Sequence, residues 1–522
     1  MGQMKTPGVY IVEKNAFPNS VVEVATAVPA FIGHTQIHDN QGKSLLNKPW
    51  RITSLAEFHQ YFGYGPKARF QIKDQVSPAV EPTAFKLGNA EYTLAQAGGK
   101  DGGRFLLYYG MRQFFQNGGG PCYIVSVGDY EVDAIDPTKL QEGIALLIKE
   151  QEPTMVVVPD AMLLKAPDCI AVQQAALSHC GTMKNRVAVL DVWEGWKAPI
   201  DCIGNFRNDL GINYLDYAAA YYPWVNTTVV QDNELSYANI ANLDVLQKLL
   251  KTELDLPDAL PANAPPKQAA QWQAVNDVTK SEADWIAADT KSADKDKPYT
   301  ARMQMALLNK SLSALSPTFN TLMGELRNKL NLLPPSPAMA GVYTMVDNSR
   351  GVWKAPANVS LNGVISPAVS LSAEDQEDLN VTTQGKSINA IRSFIGEGVL
   401  VWGARTLDGN SLDWRYISVR RTMIMLEESC RLAAKAMVFE PNVANTWVTI
   451  KSMIQNFLTG IWKRGGLAGA VPDDAFSVHV GLGETMTPED VLEGILRVTV
   501  LVAISRPAEF IEITFQQQMQ KS

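Results

Sequence analysis

The fold is decided by the stretch RYISVRRTMIMLEESCRLAAKAMVFEPN, residues 415–442. Its first apolar residues alternate over Tyr416–Val419, as in a short strand. The apolar residues after them recur every three or four positions, as on one face of a helix, and these are Met423, Leu426, Cys430, Ala433 and Met437. Phe439–Asn442, which contains a proline, ends this predicted helix. The same spacing over residues 447–461 predicts a second helix, which two glycines terminate.

Strand and helix patterns continue to the end of the sequence. Residues 476–480 alternate as a strand, and Thr487–Asp490 begins a helix with a hydroxyl cap, a proline and early acidic residues. A second alternating strand covers residues 496–504, and a last one is predicted over Phe510–Phe515. Together these elements predict a small C-terminal α/β domain that is followed by a strand-forming arm.

Several blocks closely resemble contractile tail sheath proteins, which occur in phage tails and in phage-tail-like injection systems. The C-terminal blocks are RYISVRR (415–421), VFEPN (438–442), the helix of Trp447, DAF (474–476) and RPAEFIEI (506–513). Earlier blocks, in family order, are TPGVYIVE (6–13), TAVPAFIG (26–33), AGVYTMVDNSRGVWKAPAN (340–358) and VLVWGARTL (399–407). The resemblance covers about half of the chain.

The resemblance implies a structural subunit rather than an enzyme. Copies would polymerise helically around an inner tube and contract to drive it through a target cell envelope, with no catalytic residue, cofactor or metal. The implied partners are further copies or paralogous sheath subunits, an inner tube protein, a baseplate and a terminator or cap protein. Such a protein is made and assembled in a bacterial cytoplasm and becomes part of a phage tail or tail-like particle, released or envelope-anchored.

The composition fits this implication. With 46% hydrophobic and 19% charged residues among 522, the chain can form several globular domains. A net charge of −8 and the lack of a basic run argue against nucleic acid as the main partner. Five cysteines without a CxxC pair predict small core residues rather than a disulfide framework or zinc site. No signal-like segment and no apolar run of about 18 residues occur, so neither the usual secretory route nor membrane insertion is expected.

A parallel sheet is predicted over residues 121–225. Apolar strand-like runs at 123–127, 155–158, 186–190 and 217–221 alternate with helical stretches near 139–150, 167–180 and 200–211. An enzyme would place its site at the carboxyl ends of such strands, where Asp160 and Asp191 lie. Because no Walker lysine, GxGxxG or GxSxG accompanies these residues, helix caps and turns explain them better.

The flanking regions carry weaker signals. Residues 35–120 look irregular, with glycine-rich loops that match no phosphate-binding motif. His34, His38 and His59 lack an acidic or cysteine partner at ligand spacing, which makes a metal site improbable. Residues 226–337 are rich in Ala, Lys, Asp and Pro, and they interrupt the family-like blocks. We expect this insertion to lie on the outer face of a sheath and to contribute little to contraction.

Both termini are predicted to act as arms that add as strands to sheets of neighbouring copies. The residues expected to make these contacts are Val9, Tyr10, Ile11, Val12, Phe510, Ile511, Ile513 and Phe515. The predicted fold class is mixed α/β in several domains. The predicted division is 1–20 N-terminal arm, 21–120 glycine-rich part, 121–225 sheet domain, 226–337 insertion, 338–410 return into the core, 411–509 C-terminal domain and 510–522 C-terminal arm.

Two other functions remain open from the sequence alone. One is a cytosolic α/β enzyme with its site near Asp160 and Asp191, which would form compact particles. The other is a static shell or baseplate component, which would share the arms but form one lattice only. Electron microscopy of the expressed protein separates all three.

Overall fold

The computed structural model of the chain describes residues 21–75, 83–290, 292–294 and 296–513. The strands in these ranges are β1 Pro29–Gly33, β2 Asp39–Asn40, β3 Lys43–Ser44, β4 Trp50–Ile52, β5 Phe70–Asp74, β6 Phe85–Leu87, β7 Ala90–Gln96, β8 Cys122–Ser126, β9 Met155–Val157, β10 Val187–Asp191, β11 Ala218–Tyr222, β12 Val225–Thr227, β13 Leu332–Leu333, β14 Val359–Ser360, β15 Val364–Pro367, β16 Asn389–Phe394, β17 Gly398–Val401, β18 Phe476–His479 and β19 Thr499–Val502.

The helices are comparably numerous, so the predicted mixed α/β class is confirmed. They are α1 Leu55–Phe62, α2 Leu107–Gln116, α3 Pro137–Leu146, α4 Ala166–Met183, α5 Pro199–Asp209, α6 Leu243–Glu253, α7 Pro266–Asp277, α8 Glu282–Ala288, α9 Lys297–Leu315, α10 Pro317–Asn331, α11 Ser336–Arg350, α12 Ala373–Asn380, α13 Ile417–Lys435, α14 Ala444–Lys463, α15 Pro472–Ala475 and α16 Pro488–Leu492.

A nine-stranded sheet forms the centre of the larger of two compact units, which comprises residues 27–345 and 356–415. Its strand order is β14-β17-β16-β11-β10-β9-β1-β8-β4. The pairings from β8 to β16 through β1, β9, β10 and β11 are all parallel, whereas β4, β17 and β14 pair antiparallel at the two ends. The predicted parallel sheet is confirmed, and it also takes in β1 and β16 from outside the predicted range.

The central strands of this sheet are buried on both faces, because helices such as α2, α3 and α4 pack against it. Every residue of β1, β8, β9, β10 and β11 is buried, which explains their continuous apolar runs. Helix α3 lies so close to β1 that a Cβ on Gly143 would stand 2.7 Å from the side chains of Ile32 and Val127. Glycine at this position therefore sets the helix-to-sheet distance.

The expectation of irregular structure over residues 35–120 is wrong. This stretch contains α1, α2 and an antiparallel sheet in the order β5-β7-β6. Ser54 caps α1 by accepting from the backbone N–H of Glu57. The prediction was wrong because it extended the loop signal of two glycine clusters, residues 98–103 and 118–120, to the whole stretch. These clusters lie between the helices and strands and not within them.

Five helices, α6 to α10, make up most of the predicted insertion. The chain enters and leaves it at one neck, where β12 pairs with β13 and with β15. The buried Thr227 hydroxyl donates to the Asn331 carbonyl and side-chain oxygens, both at 3.0 Å. The Asn331 side chain in turn accepts from the backbone N–H of Val230 at 2.8 Å. The two ends of the insertion are thus held together.

The insertion also packs on the small sheet that contains β5. The Asn242 side chain bonds both main-chain groups of Ile72, at 2.9 and 2.8 Å, and Ala241 donates to the Phe70 carbonyl at 2.8 Å. Helix α10 packs against β6. Residues 226–337 are therefore not an isolated lobe, because they share an apolar boundary with residues 70–96.

Of the described residues, the smaller compact unit combines 21–26, 346–355 and 416–513. Its core lies between α13, α14 and the two-stranded sheet β18-β19, and contains Val352, Met425, Leu426, Ile450, Ile454, Leu458, Ile461, Leu467, Ala475, Phe476 and Val478. The predicted helix with apolar residues over 447–461 is confirmed as α14. The predicted capped helix at Thr487 is confirmed as α16, whose capping box joins Thr487 and Asp490.

Two local predictions in this unit need correction. Tyr416–Val419 is not a strand, because α13 begins at Ile417. The first six residues of α13 are all buried, and a helix buried on every side loses the three-and-four spacing that identifies an amphipathic helix. The strand predicted over residues 496–504 is shorter and spans Thr499–Val502. The seven-part domain division stays a prediction.

Candidate functional site

Asp160, one of the two carboxylates at the strand ends, is fully buried and serves as a helix cap. One oxygen, Oδ1, accepts from the backbone N–H groups of Leu106 and Leu107, at 2.7 and 3.0 Å. Helix α2 begins at Leu107 and has no side-chain cap of its own. The other oxygen, Oδ2, accepts from the His34 N–H at 2.7 Å. Asp160 thereby ties the end of β1 to the start of α2.

This contact needs a very small residue beside it. A Cβ built on Gly33 would stand 2.7 Å from the Asp160 Oδ2 atom. The His34 side chain is also buried, with its Nδ1 atom 3.4 Å from the same oxygen. The sequence analysis found no acidic neighbour for His34, because Asp160 is distant in sequence and only the fold brings it close.

Asp191, at the end of β10, caps a second helix. Its Oδ1 accepts from the backbone N–H of Ser336 at 2.8 Å, and its Oδ2 accepts from the Ser336 hydroxyl at 2.5 Å. Helix α11 begins at Ser336. Burial raises the pKa of Asp191 from 3.8 to about 7, and the two hydrogen bonds from Ser336 oppose that rise. The two carboxylates thus cap different helices.

The space beside Asp191 is too small for a substrate. A cavity of about 10 Å³ lies against Asp191, lined mainly by Met162, Val172, Ala176 and Val189. Such a volume holds about one water molecule. The arrangement therefore favours helix capping over chemistry at the strand ends.

Two further histidines, His59 and His179, are also in structural contacts. His59 stacks on Tyr64 with ring centroids 4.5 Å apart, and the Nε2 of His179 lies 3.3 Å from Arg186. Burial lowers the pKa of His179 to about 4. Within the described ranges, no three His, Cys, Asp or Glu side chains meet as metal ligands would. Cys122, Cys169, Cys180 and Cys202 are buried and Cys430 is partly buried, which confirms their prediction as core residues.

The two-stranded sheet of the smaller unit is the feature that suits strand addition. Strands β18 and β19 pair antiparallel, with Phe476 opposite Val502 and His479 opposite Thr499. Among the described residues no further strand joins either outer edge, although just beyond β19 the Ala503 carbonyl accepts from Ala468. A sheet of two strands is marginal in isolation, and each open edge can accept an extended segment.

The predicted contact residues of the arms fall partly within the described chain. Phe510, Ile511 and Ile513 are 75%, 77% and 71% exposed, and no strand forms there within the chain. Val9, Tyr10, Ile11, Val12 and Phe515 lie outside the described residues. The predicted strand pairing of both arms stays a prediction.

No helix in the described ranges combines the length and apolar composition needed to span a membrane.

The C-terminal part of the chain matches a known protein family. Residues 410–518 match the phage tail sheath C-terminal domain. The tail sheath protein of Vibrio phage KVP40 is 27% identical over 164 residues, which cover 31% of this chain and 23% of that protein. The chain thus spans only about a quarter of the length of this curated relative.

Solved structures extend the similarity to almost the whole chain. A subunit of the anti-feeding prophage helical sheath in its contracted state is 27% identical, with a TM-score of 0.59 over 99% of this chain and 100% of that one. The sheath complex of an extracellular contractile injection system, also contracted, is 26% identical, with a TM-score of 0.58 over 99% of both chains. The resemblance predicted from the sequence is confirmed.

If Asp160 is a cap, Asp160→Asn should lower the free energy of unfolding by about 2 to 3 kcal/mol, because the amide NH2 would face a backbone N–H instead of accepting from it. A catalytic aspartate would tolerate this isosteric change without losing stability. Chemical denaturation measures the effect, and Asp201→Asn on the exposed face of α5 is the matched control. Equal stabilities of the two variants would contradict the capping role.

Asp191 should make stability pH-dependent. Its pKa in the folded protein, about 7, lies above the ordinary 3.8, so its contribution is fully present below pH 3.8 and is lost as the pH rises through 7. Asp191→Asn cannot ionise. Relative to this variant, the wild type should therefore lose about 2 to 4 kcal/mol between pH 4 and pH 8. Denaturation curves across this range test it, and parallel pH profiles of the two proteins would refute it.

Proposed function

We propose that this chain is a subunit of a contractile sheath. Copies polymerise helically around an inner tube and shorten to drive that tube through a target cell envelope. The premise is the sheath domain in residues 410–518, and the observation that carries the proposal is the fold shared with contracted sheath subunits over almost the whole chain. The proposed partners are further copies or paralogous subunits, a tube protein, a baseplate and a terminator or cap protein.

The function is mechanical and needs no catalytic group. Asp160 and Asp191, the residues best placed for chemistry, are occupied in capping α2 and α11. The energy for contraction is stored when copies assemble in the less stable lattice, and it is released when a trigger lets them rearrange. Packed cores are not continuously deformable, so each compact unit moves as a rigid body. Assembly takes place in a bacterial cytoplasm, before the particle acts.

Strand exchange links the copies in both lattices. Among residues 21–513 as described, no third strand joins β18 or β19, and the sequence carries two candidate strands, at Val9–Val12 and Phe510–Phe515. About six hydrogen bonds at roughly 1 kcal/mol each, and three apolar side chains at roughly 2 kcal/mol each, oppose the ordering of about six residues at roughly 1 to 2 kcal/mol each. One arm is nearly neutral alone, but the lattice raises its effective concentration.

The C-terminal arm should be required for assembly but not for folding. Deletion of Phe510–Ser522 is expected to leave a folded monomer that forms no tubes, because one of the linking strands is lost. Circular dichroism reports folding, and electron microscopy reports assembly. Normal contractile tubes from the truncated chain would contradict the arm model.

A matched pair of triple variants sharpens this test, since alternate residues of a strand face opposite sides. Ile511→Glu, Ile513→Glu and Phe515→Glu together place charges on the apolar side and should block tubes. The control combines Thr514→Glu, Gln516→Glu and Gln518→Glu, which adds the same three negative charges on the polar side, and should assemble. If both variants assemble alike, side-chain burial is not part of the contact.

The insertion should be dispensable when it is removed together with the sheet that it covers. Excising residues 231–330 alone would expose Phe70 and Ile72, which are buried under the insertion. The small sheet also has a closed neck, since the Arg69 N–H donates to the Gly102 carbonyl at 3.2 Å. A chain with short Gly/Ser links in place of 231–330 and 69–102 should therefore fold and form contractile tubes, because both excursions lie on the outer face.

Electron microscopy of the doubly excised chain tests this placement, and the single excision of 231–330 is the control for exposed apolar surface. A soluble, folded double variant that fails to polymerise would show that the region takes part in lattice contacts. The number of helical lattices also distinguishes this function from that of a static shell. A contractile sheath changes from one helical lattice to another on triggering, whereas a static shell keeps the same lattice.

A further inference from the structure

The segment Val21–Thr26 forms no helix or strand, and a buried ion pair holds its last residue. Arg421 on α13 and Asp347 on α11 form this pair, with Nη1–Oδ1 and Nη2–Oδ2 distances of 3.0 and 2.5 Å. Their side chains are only 4% and 2% exposed. The same Nη2 donates to the Thr26 carbonyl at 3.0 Å, and the Thr26 hydroxyl donates to Asp347 Oδ2 at 2.6 Å. We call these three residues the Thr26 clip.

A second contact follows two residues earlier. The Val24 N–H donates at 3.1 Å to the hydroxyl of Ser429, a fully buried residue of α13, and the Val24 side chain packs on the unit's core. Val22 points outward and is 76% exposed. Glu23 pairs with Arg464, but both side chains are substantially exposed and such a pair adds little. The firm attachment therefore lies at Val24 and Thr26.

A buried ion pair is a poor way to add stability, because desolvation offsets most of the attraction and apolar residues of similar size often do as well. The pair instead fixes the orientation of the Arg421 guanidinium. A guanidinium that is already held by a carboxylate presents its remaining N–H in a fixed geometry, and that N–H holds a main-chain carbonyl. The clip consequently fixes where the chain leaves the smaller unit.

We propose that the Thr26 clip sets the working length of the N-terminal arm. This inference rests on the proposed function, in which the arm pairs with a neighbouring copy. The chain is held from Val24 to Thr26, so release of these residues would add about 10 Å of slack to the arm. A clip that holds keeps every arm at one length, so that neighbouring copies stay at one spacing while the sheath shortens.

The first test needs no assembly. In the full-length protein, the released variant Arg421→Met, Asp347→Leu and Ser429→Ala should show amide hydrogen exchange about tenfold faster in residues 22–26, with α14 unchanged. Removing both charges together avoids leaving one buried and unpaired. The control is Arg431→Gln with Glu428→Gln, an ion pair on the same helix outside the clip whose side chains are 55% and 14% exposed, and it should exchange like the wild type. Unchanged exchange at residues 22–26 in the released variant overturns the clip.

The second test is a rescue of arm length. Deleting Pro18–Ser20 shortens the arm by about 10 Å and should abolish tubes when the clip is intact. The same deletion in the released variant should restore tubes, because the freed residues replace the missing length. Failure in both backgrounds, or assembly in both, overturns the proposal. If the wild-type chain itself forms no tubes, the sheath function fails instead, and the exchange result still reports on the clip.

Discussion

The fold depends on one constraint, that every buried main-chain N–H finds an acceptor. Helix α2 has no cap of its own, and α11 begins on a buried serine. Asp160 and Asp191 supply the missing acceptors from the ends of β9 and β10. These positions are where an α/β enzyme would hold its reactive groups. Here the same geometry is used to lock two covering helices onto the sheet, and that use leaves a cavity no larger than a water molecule.

The same constraint is met differently in the smaller unit. Strands β18 and β19 pair with each other, and in the described part of the chain no other strand adds to them. A strand edge without a strand partner is a hazard for a monomer, yet it is a defined attachment point in a polymer. Under the proposed strand exchange, this edge is the feature that suits the unit to assembly.

Sequence patterns predicted the elements whose burial is regular. The all-buried strands β8 to β11 and the one-sided helix α14 follow directly from apolar spacing. The position of β1 between β8 and β9 could not be predicted, because pairing partners distant in sequence leave no periodic signal. The start of α13 was mistaken for a strand because it is buried on all sides. The sequence favoured helix capping for Asp160 and Asp191. It could not show which helices they cap, because α2 and α11 are distant from them in sequence.

The two ways of meeting the constraint imply two stages of completion. In the larger unit, side chains such as Asp160 accept hydrogen bonds from main-chain N–H groups that would otherwise lack an acceptor. These bonds form within the chain when the unit folds. In the smaller unit, no third strand joins β18 or β19 among the described residues. Under the proposed strand exchange, a subunit would stay unlinked at low concentration, since one arm contact is nearly neutral. It would become strongly linked once a template collects copies, because each added subunit would then complete the sheets of its neighbours. On that proposal, cooperative polymerisation follows from where the chain satisfies its backbone hydrogen bonds, without any chemical step.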